Sequence, residues 1–170
     1  EIVAAITSGG TPTSGDSRYY CEGAGVPFAK TEDLSRSNTK WISKCELNLS
    51  VAALKETAAK IYPEGTILLS MCGTIGLPKI TAKELSANQA LCALIPPFEC
   101  DADYLYHYLV FARDGWKKFS GQTTQANING YIVRNRDIAL PSQKEQHKIA
   151  RILDTLDTQI QKTEALIAKL

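Results

Sequence analysis

The sequence predicts an α+β fold. A mixed, mainly antiparallel β domain with short helices occupies residues 1–140, and a long C-terminal coiled-coil-forming helix occupies 141–170. Three observations carry this. Up to about Leu140, short apolar runs alternate with breaks rich in glycine, proline and hydroxyl residues, the spacing of short strands and turns. After Pro141 the punctuation stops and apolar residues recur every three or four positions. The chain has 170 residues, 44% hydrophobic and 22% charged, which suits one full-size domain with an appendage and is too apolar for disorder.

Taken in order, SGGTPTSGDS (8–17) is a loop by composition, and Val26 to Lys30 is a short strand. Ser50 caps a short helix that runs to about Lys60. Pro63-Glu64-Gly65 is a turn that launches TILLSM (66–71), whose β-branched and apolar content suits a buried strand. Cys72-Gly73-Thr74 turns the chain back into a partner strand, Ile75 to Ile80. Ala90 to Ile95 is a further strand, closed by Pro96-Pro97. Asp101 caps a helix over 102–113, where Tyr104, Leu105, Tyr108 and Leu109 recur at helical spacing and Gly115 is the stop. Asp137 to Leu140 is a short strand.

The last segment carries the clearest signal. Ser142 with Glu145 three residues on is a capping box, with Pro141 just outside it. Ile149, Ile152, Leu153, Leu156, Ile160, Ile167 and Leu170 line one face, and Glu145–Lys148 and Arg151–Asp154 are pairs for the solvated face. Such a helix is roughly 40 Å long at 1.5 Å per residue. Its stripe has two possible destinations, the body of its own domain or a partner helix.

Composition narrows the function. A net charge of +1 excludes gripping nucleic acid by bulk charge, but Arg113 to Arg136 holds five positive side chains against one negative. The five cysteines are scattered without a CxxC pair, which argues against a zinc site or disulfide framework and for reduced thiols in the cytoplasm. No run has the length of a membrane span and no signal peptide is visible. His107 and His147 fall on helices, with no motif to make either a catalytic base. Gly73-Thr74-Ile75-Gly76 lacks the lysine of a phosphate loop. Ile95-Pro96-Pro97-Phe98 has isoleucine where an amino-methyltransferase tetrad carries a polar acceptor. The chain reads as a binding module, not an enzyme.

A set of phrases in a fixed order then points to a family. They are GGTPT (9–13), Tyr19-Tyr20, GVPFAKTEDL (25–34), WIS (41–43), YPEGTILLSMCGTIG (62–76), Asn88-Gln89, YLYHYL (104–109), GQTTQANI (121–128) and IALPSQKEQHKIARIL (138–153). In this order they resemble the DNA specificity subunit of type I restriction–modification systems, from about Ile6 to the C-terminus. The resemblance implies a non-catalytic subunit that reads double-stranded DNA. It implies one target recognition domain and one spacer helix, half of the usual two-domain subunit. It also implies methyltransferase (modification) and restriction subunits as partners. S-adenosylmethionine and ATP would sit on those partners, with no cofactor on this chain. A half-subunit would read a palindromic bipartite site as a homodimer joined through the helix stripe.

Three stretches have the chemistry for DNA contact. In GQTTQANIN, Gln122, Thr123, Thr124, Gln125 and Asn127 can read base edges, with a surface turn as the structural alternative, while Lys117 and Lys118 would hold phosphates and Ile128 packs inward. Around the second turn, Gly73 and Thr74 can approach DNA closely, Lys79 and Lys83 can reach phosphates, and Asn88 and Gln89 either read or brace. The third is Ser8 to Thr13, above all Gly10 and Thr11, with Lys30 and Thr31, for which a glycine turn capped by hydroxyls is the structural alternative. A coiled-coil protein-interaction scaffold without DNA readout is the competing function.

Overall fold

The computed structural model describes residues 3–116, 118 and 127–169. Strands in chain order are β1 (Val3–Ser8), β2 (Tyr20–Cys21), β3 (Val26–Ala29), β4 (Trp41–Ile42), β5 (Leu47–Leu49), β6 (Ile61–Tyr62), β7 (Ile67–Ser70), β8 (Pro78–Thr81), β9 (Leu85–Ala87) and β10 (Leu91–Phe98). Helices are α1 (Thr31–Arg36), α2 (Val51–Glu56), α3 (Ala102–Phe111), α4 (Arg113–Trp116), α5 (Gly130–Arg134) and α6 (Gln143–Ile167). The first sheet has the order β1-β10-β7-β8-β4 and the second β2-β5-β3-β9-β6. Pairing is antiparallel except for β3 with β9 and β4 with β8. This is the mixed, mainly antiparallel fold that the punctuation predicts.

The period of two along a strand builds the layers. Ile67 and Leu69 of β7, with Cys92 and Leu94 of β10, enter a core beneath α3, α4 and α5, together with Leu105, Leu109, Trp116 and Val133. The alternate residues Leu68, Leu91 and Ala93 enter a second core, with Ala29, Tyr62, Leu85 and Ala87 of the other sheet. Phe28 and Leu49 point the other way, onto Ala53 of α2. The first sheet is thus covered on both faces, and β7 is a continuous apolar run for that reason.

Five expectations need correction. The strand at 75–80 is shorter, Pro78–Thr81, because the turn runs on through Gly73 and Gly76, both at positive φ. Gly76 is forced by packing as well, since a Cβ there would lie 2.4 Å from the Trp116 ring. Pro96-Pro97 does not close its strand: β10 continues to Phe98. Those prolines lie beyond the reach of β7, which pairs only as far as Leu94, and a register shift in β1 absorbs the extra residue. Residues 137–140 are not a strand; the Tyr104 and Tyr108 hydroxyls donate to Ala139 O and Asp137 O instead of a ladder. The helix from Ala102 ends at Ala112, ahead of Gly115, and a separate turn, α4, follows. The helix capped by Ser50 also stops early, at Thr57, whose hydroxyl takes the Ala53 carbonyl.

The capping box of α6 is present: the Ser142 hydroxyl accepts from Glu145 N–H, and the Glu145 carboxylate accepts from Ser142 N–H. The helix lies along the domain through its polar face. Gln146 is buried and accepts from Asp101 N–H at 2.9 Å. Asp154 accepts from Lys40 at 2.7 Å and meets His107 Nε2 at 2.9 Å, so it faces the domain and not Arg151. Gln161 donates to Asn38 O at 3.3 Å. The apolar stripe is left bare: Ile152, Leu156 and Ile160 are 62%, 53% and 55% exposed, whereas Leu153 is half-buried. Leu170 lies outside the described residues.

This anchorage has a pH signature. Burial opposes the charge on Asp154, but hydrogen bonds from Lys40 and His107 outweigh it and hold the carboxyl below its ordinary 3.8. Burial likewise opposes the Lys40 charge, and the Asp103 and Asp154 carboxylates outweigh it, holding the ammonium above 10.5. A depressed carboxyl stabilises the fold above its unfolded value, and that contribution is lost as pH falls through the folded one. A raised ammonium stabilises below its unfolded value and loses the contribution as pH rises through the folded one. We expect constant anchorage through neutrality and losses on the acid and alkaline flanks. Urea midpoints measured against pH check this: Asp154→Asn should show a shallower acid limb than the native chain.

Candidate nucleic-acid interface

An open cleft of about 730 Å³ is lined by Thr31, Glu32, Ser35, Arg36, Cys72, Gly73, Thr74 and Asn127. Three distant segments meet there. The first is α1, a helix that sequence reading missed because six residues are too short for a period. Its acidic first turn was the available signal: Asp33, buried, accepts from Lys30 N–H at 2.9 Å and from Glu46 N–H at 3.1 Å, tying α1 to the chain before β5. The second is the turn after β7. The Ser70 hydroxyl donates to Thr74 O and accepts from Leu77 N–H, which fixes the loop, and exposed Gly73 comes against Thr31. The third is Asn127, which bridges backbone to backbone with Cys72, while Ile128 N–H donates to Met71 O at 2.9 Å and its side chain is buried.

The cleft is rich in hydroxyl and amide groups and nearly balanced in charge. Ser35 Oγ lies 3.5 Å from Thr74 Oγ1. Arg36 pairs with Glu46 at 2.7 Å, and that hydrogen bond raises the guanidinium above its ordinary value and holds the Glu46 carboxyl below. Hydroxyls and amides can donate and accept along base edges, whereas a phosphate track would need unpaired cations.

Of the residues singled out from sequence, Thr31, Gly73, Thr74 and Asn127 are brought together here. Lys117 and Gln122, Thr123, Thr124 and Gln125 lie outside the described residues; Lys118 is exposed. Lys83 is also exposed. Lys79 is a correction: it is buried, its ammonium donates to Ser37 O at 2.6 Å and to Thr39 O, and burial lowers its basicity. It cannot reach a phosphate. Gly10 is a second correction. It is buried, with its N–H on Ala87 O, and an added Cβ would sit 2.2 Å from Ala58 O. The glycine pair in GGTPT therefore serves close backbone packing, since Gly9 would meet Asn88 O in the same way. Asn88 braces its turn, accepting from Ala90 N–H at 3.2 Å and donating from its backbone to Ala29 O. Thr11 accepts from Gln89 N–H at 3.2 Å, and both are exposed. Lys30 is the half-buried residue ahead of α1.

Of the two histidines, His107 is buried against Asp154, and His147 is exposed with Asp101 at 3.3 Å. Among the described residues no cluster of metal-ligating side chains is present, and no helix is long and apolar enough to cross a membrane.

Comparison with known proteins places this geometry. A family model described as the type I restriction modification DNA specificity domain matches residues 3–170. The specificity subunit of the type I restriction enzyme MjaIX from Methanocaldococcus jannaschii is 32% identical over 162 residues, 94% of this chain and 37% of that protein. The HindI specificity subunit from Haemophilus influenzae is 30% identical over 144 residues, 82% of this chain and 30% of that protein. The chain thus spans about a third of the length of these relatives. Among solved structures, one describing complex assembly and conformational transition of the type I R-M system superposes with a TM-score of 0.75 at 23% identity, covering 96% of this chain and 38% of that one. The HsdS subunit from Thermoanaerobacter tengcongensis superposes with a TM-score of 0.71 at 21% identity, covering 96% and 37%. The order of phrases, the fold and these matches agree: the chain belongs to the type I restriction–modification DNA specificity family.

Proposed function

We propose that this chain is a non-catalytic, sequence-specific DNA-binding subunit that reads one half of a bipartite target. Residues 1–140 act as the recognition domain and 141–170 as the spacer helix. The observation that carries this reading is the cleft, where hydroxyl and amide side chains from α1, the 72–74 turn and Asn127 converge. Such a surface offers donors and acceptors to base edges, with Lys117 and Lys118 placed in sequence to hold phosphates. The Gln122–Gln125 run, which leads directly into Asn127, extends the same chemistry. Modification and restriction subunits are the partners, carrying S-adenosylmethionine and ATP, in the cytoplasm. The bare stripe on α6 takes an antiparallel spacer helix from a second copy, so that two heads read a palindromic split site.

Methylome sequencing of cells expressing the chain with its modification subunit tests the reading. A split, palindromic methylated motif is expected; methylation without any motif ends the proposal. Within that assay, Asn127→Ala should cost about 1–3 kcal/mol on the cognate site and relax one base position. Lys118→Ala should weaken all sequences alike and reduce the salt slope by about one unit. Binding to a protein partner with no duplex preference would favour the scaffold alternative.

A further inference from the structure

The contact between α6 and the domain is mostly polar. Ala150 is the one apolar residue of α6 that is buried among the described residues, and Gln146 is the other buried one. Further along, Lys40 Nζ lies 2.7 Å from both Asp103 and Asp154, and His107, itself buried, lies 2.9 Å from Asp154. Beside this cluster runs a groove of about 350 Å³ that Trp41 and Asp157 help to line. Apolar surfaces tolerate sliding, whereas charge-assisted hydrogen bonds are short and directional, so a joint made this way fixes rotation as well as distance.

We infer that Lys40, His107 and Asp154 are positioning residues that set the angle between recognition domain and spacer helix, and through it the number of base pairs allowed between two half-sites. The inference rests on the proposed reading of a split DNA target. Its scale is set by the duplex: one extra base pair moves a half-site by about 3.4 Å and turns it by roughly 35°. A head that swivels on its helix by that amount accepts both spacings; a head held by the cluster accepts one.

Two readouts on the full chain test this. Acrylamide quenching of tryptophan fluorescence reports on the groove, because Trp41 is partly exposed there and Trp116 is fully buried. Asp154→Ala, which leaves Lys40 with Asp103, should raise the quenching. With the modification subunit present, duplexes carrying the methylome-defined half-sites at native spacing, or one base pair longer or shorter, are then compared. The preference for native spacing should fall roughly tenfold in Asp154→Ala, with the preference for half-site bases unchanged. Lys40→Gln, folded by its urea midpoint, should shift both readouts the same way. Quenching that rises while spacing selectivity stays intact overturns the inference, as does quenching that stays at the native level. A native chain with no base preference removes the reading underneath instead, and quenching alone then still shows whether the cluster holds the helix.

Discussion

Trp116→Ala is expected to cost about 3–5 kcal/mol of folding stability, the usual loss for truncating a buried large aromatic. The ring is fully buried in the core beneath α3, α4 and α5. Gly76 closes against one part of it, and the Arg136 guanidinium stands 5.5 Å from its centroid. Removal therefore opens a cavity between the 73–76 turn and the helices, in rigid surroundings that cannot collapse into it. Because Gly73 and Thr74 line the cleft, the loss should also reach the interface, lowering discrimination between sequences more than binding to random duplex. The indole Nε1 has no hydrogen-bond partner among the described residues, so Trp116→Phe should cost only about 1 kcal/mol. Urea unfolding measures both. A shift in midpoint at constant slope is the expected form, and equal costs for alanine and phenylalanine would show that the ring does not fill this space.

The second large effect concerns association. Leu156→Asp combined with Ile160→Asp should weaken self-association by at least about a hundredfold, roughly 3 kcal/mol. Two carboxylates placed in an apolar helix seam must either stay solvated, which keeps the helices apart, or be buried without partners. Both positions are more than half exposed in the single chain, so folding stability should change by no more than about 0.5 kcal/mol. That separation of effects is what sedimentation at micromolar concentration, paired with urea unfolding, can resolve. A native chain that sediments as a monomer there refutes the pairing of two copies through α6.

Local chemistry was legible wherever short-range interactions decide structure. TILLSM reads as a buried strand, and β7 is one, its alternate residues serving two different cores. Ser142 and Glu145 read as a capping box because all its partners lie within three residues. Where the reading failed, a distant partner had replaced a local one. Residues 137–140 look like a strand, but their carbonyls are taken by tyrosine hydroxyls from α3. Helix α1 carries too few residues to show a period, and buried Asp33 holds it in place through Glu46.

The sequence by itself determined the central strands β7 and β10, the cap and stripe of the last helix, and the family, since periodicity, capping and an ordered set of phrases are properties of neighbours along the chain. Only the tertiary structure decided that Thr31, Gly73 and Asn127 meet at one cleft, that buried Lys79 spends its charge on two backbone carbonyls, and that α6 lies on its domain by a polar face while its apolar stripe stays bare. Those outcomes depend on which segments pack together once the loops between them close. No local signal encodes that, because the free energy that selects it comes from burial shared among residues far apart in the chain.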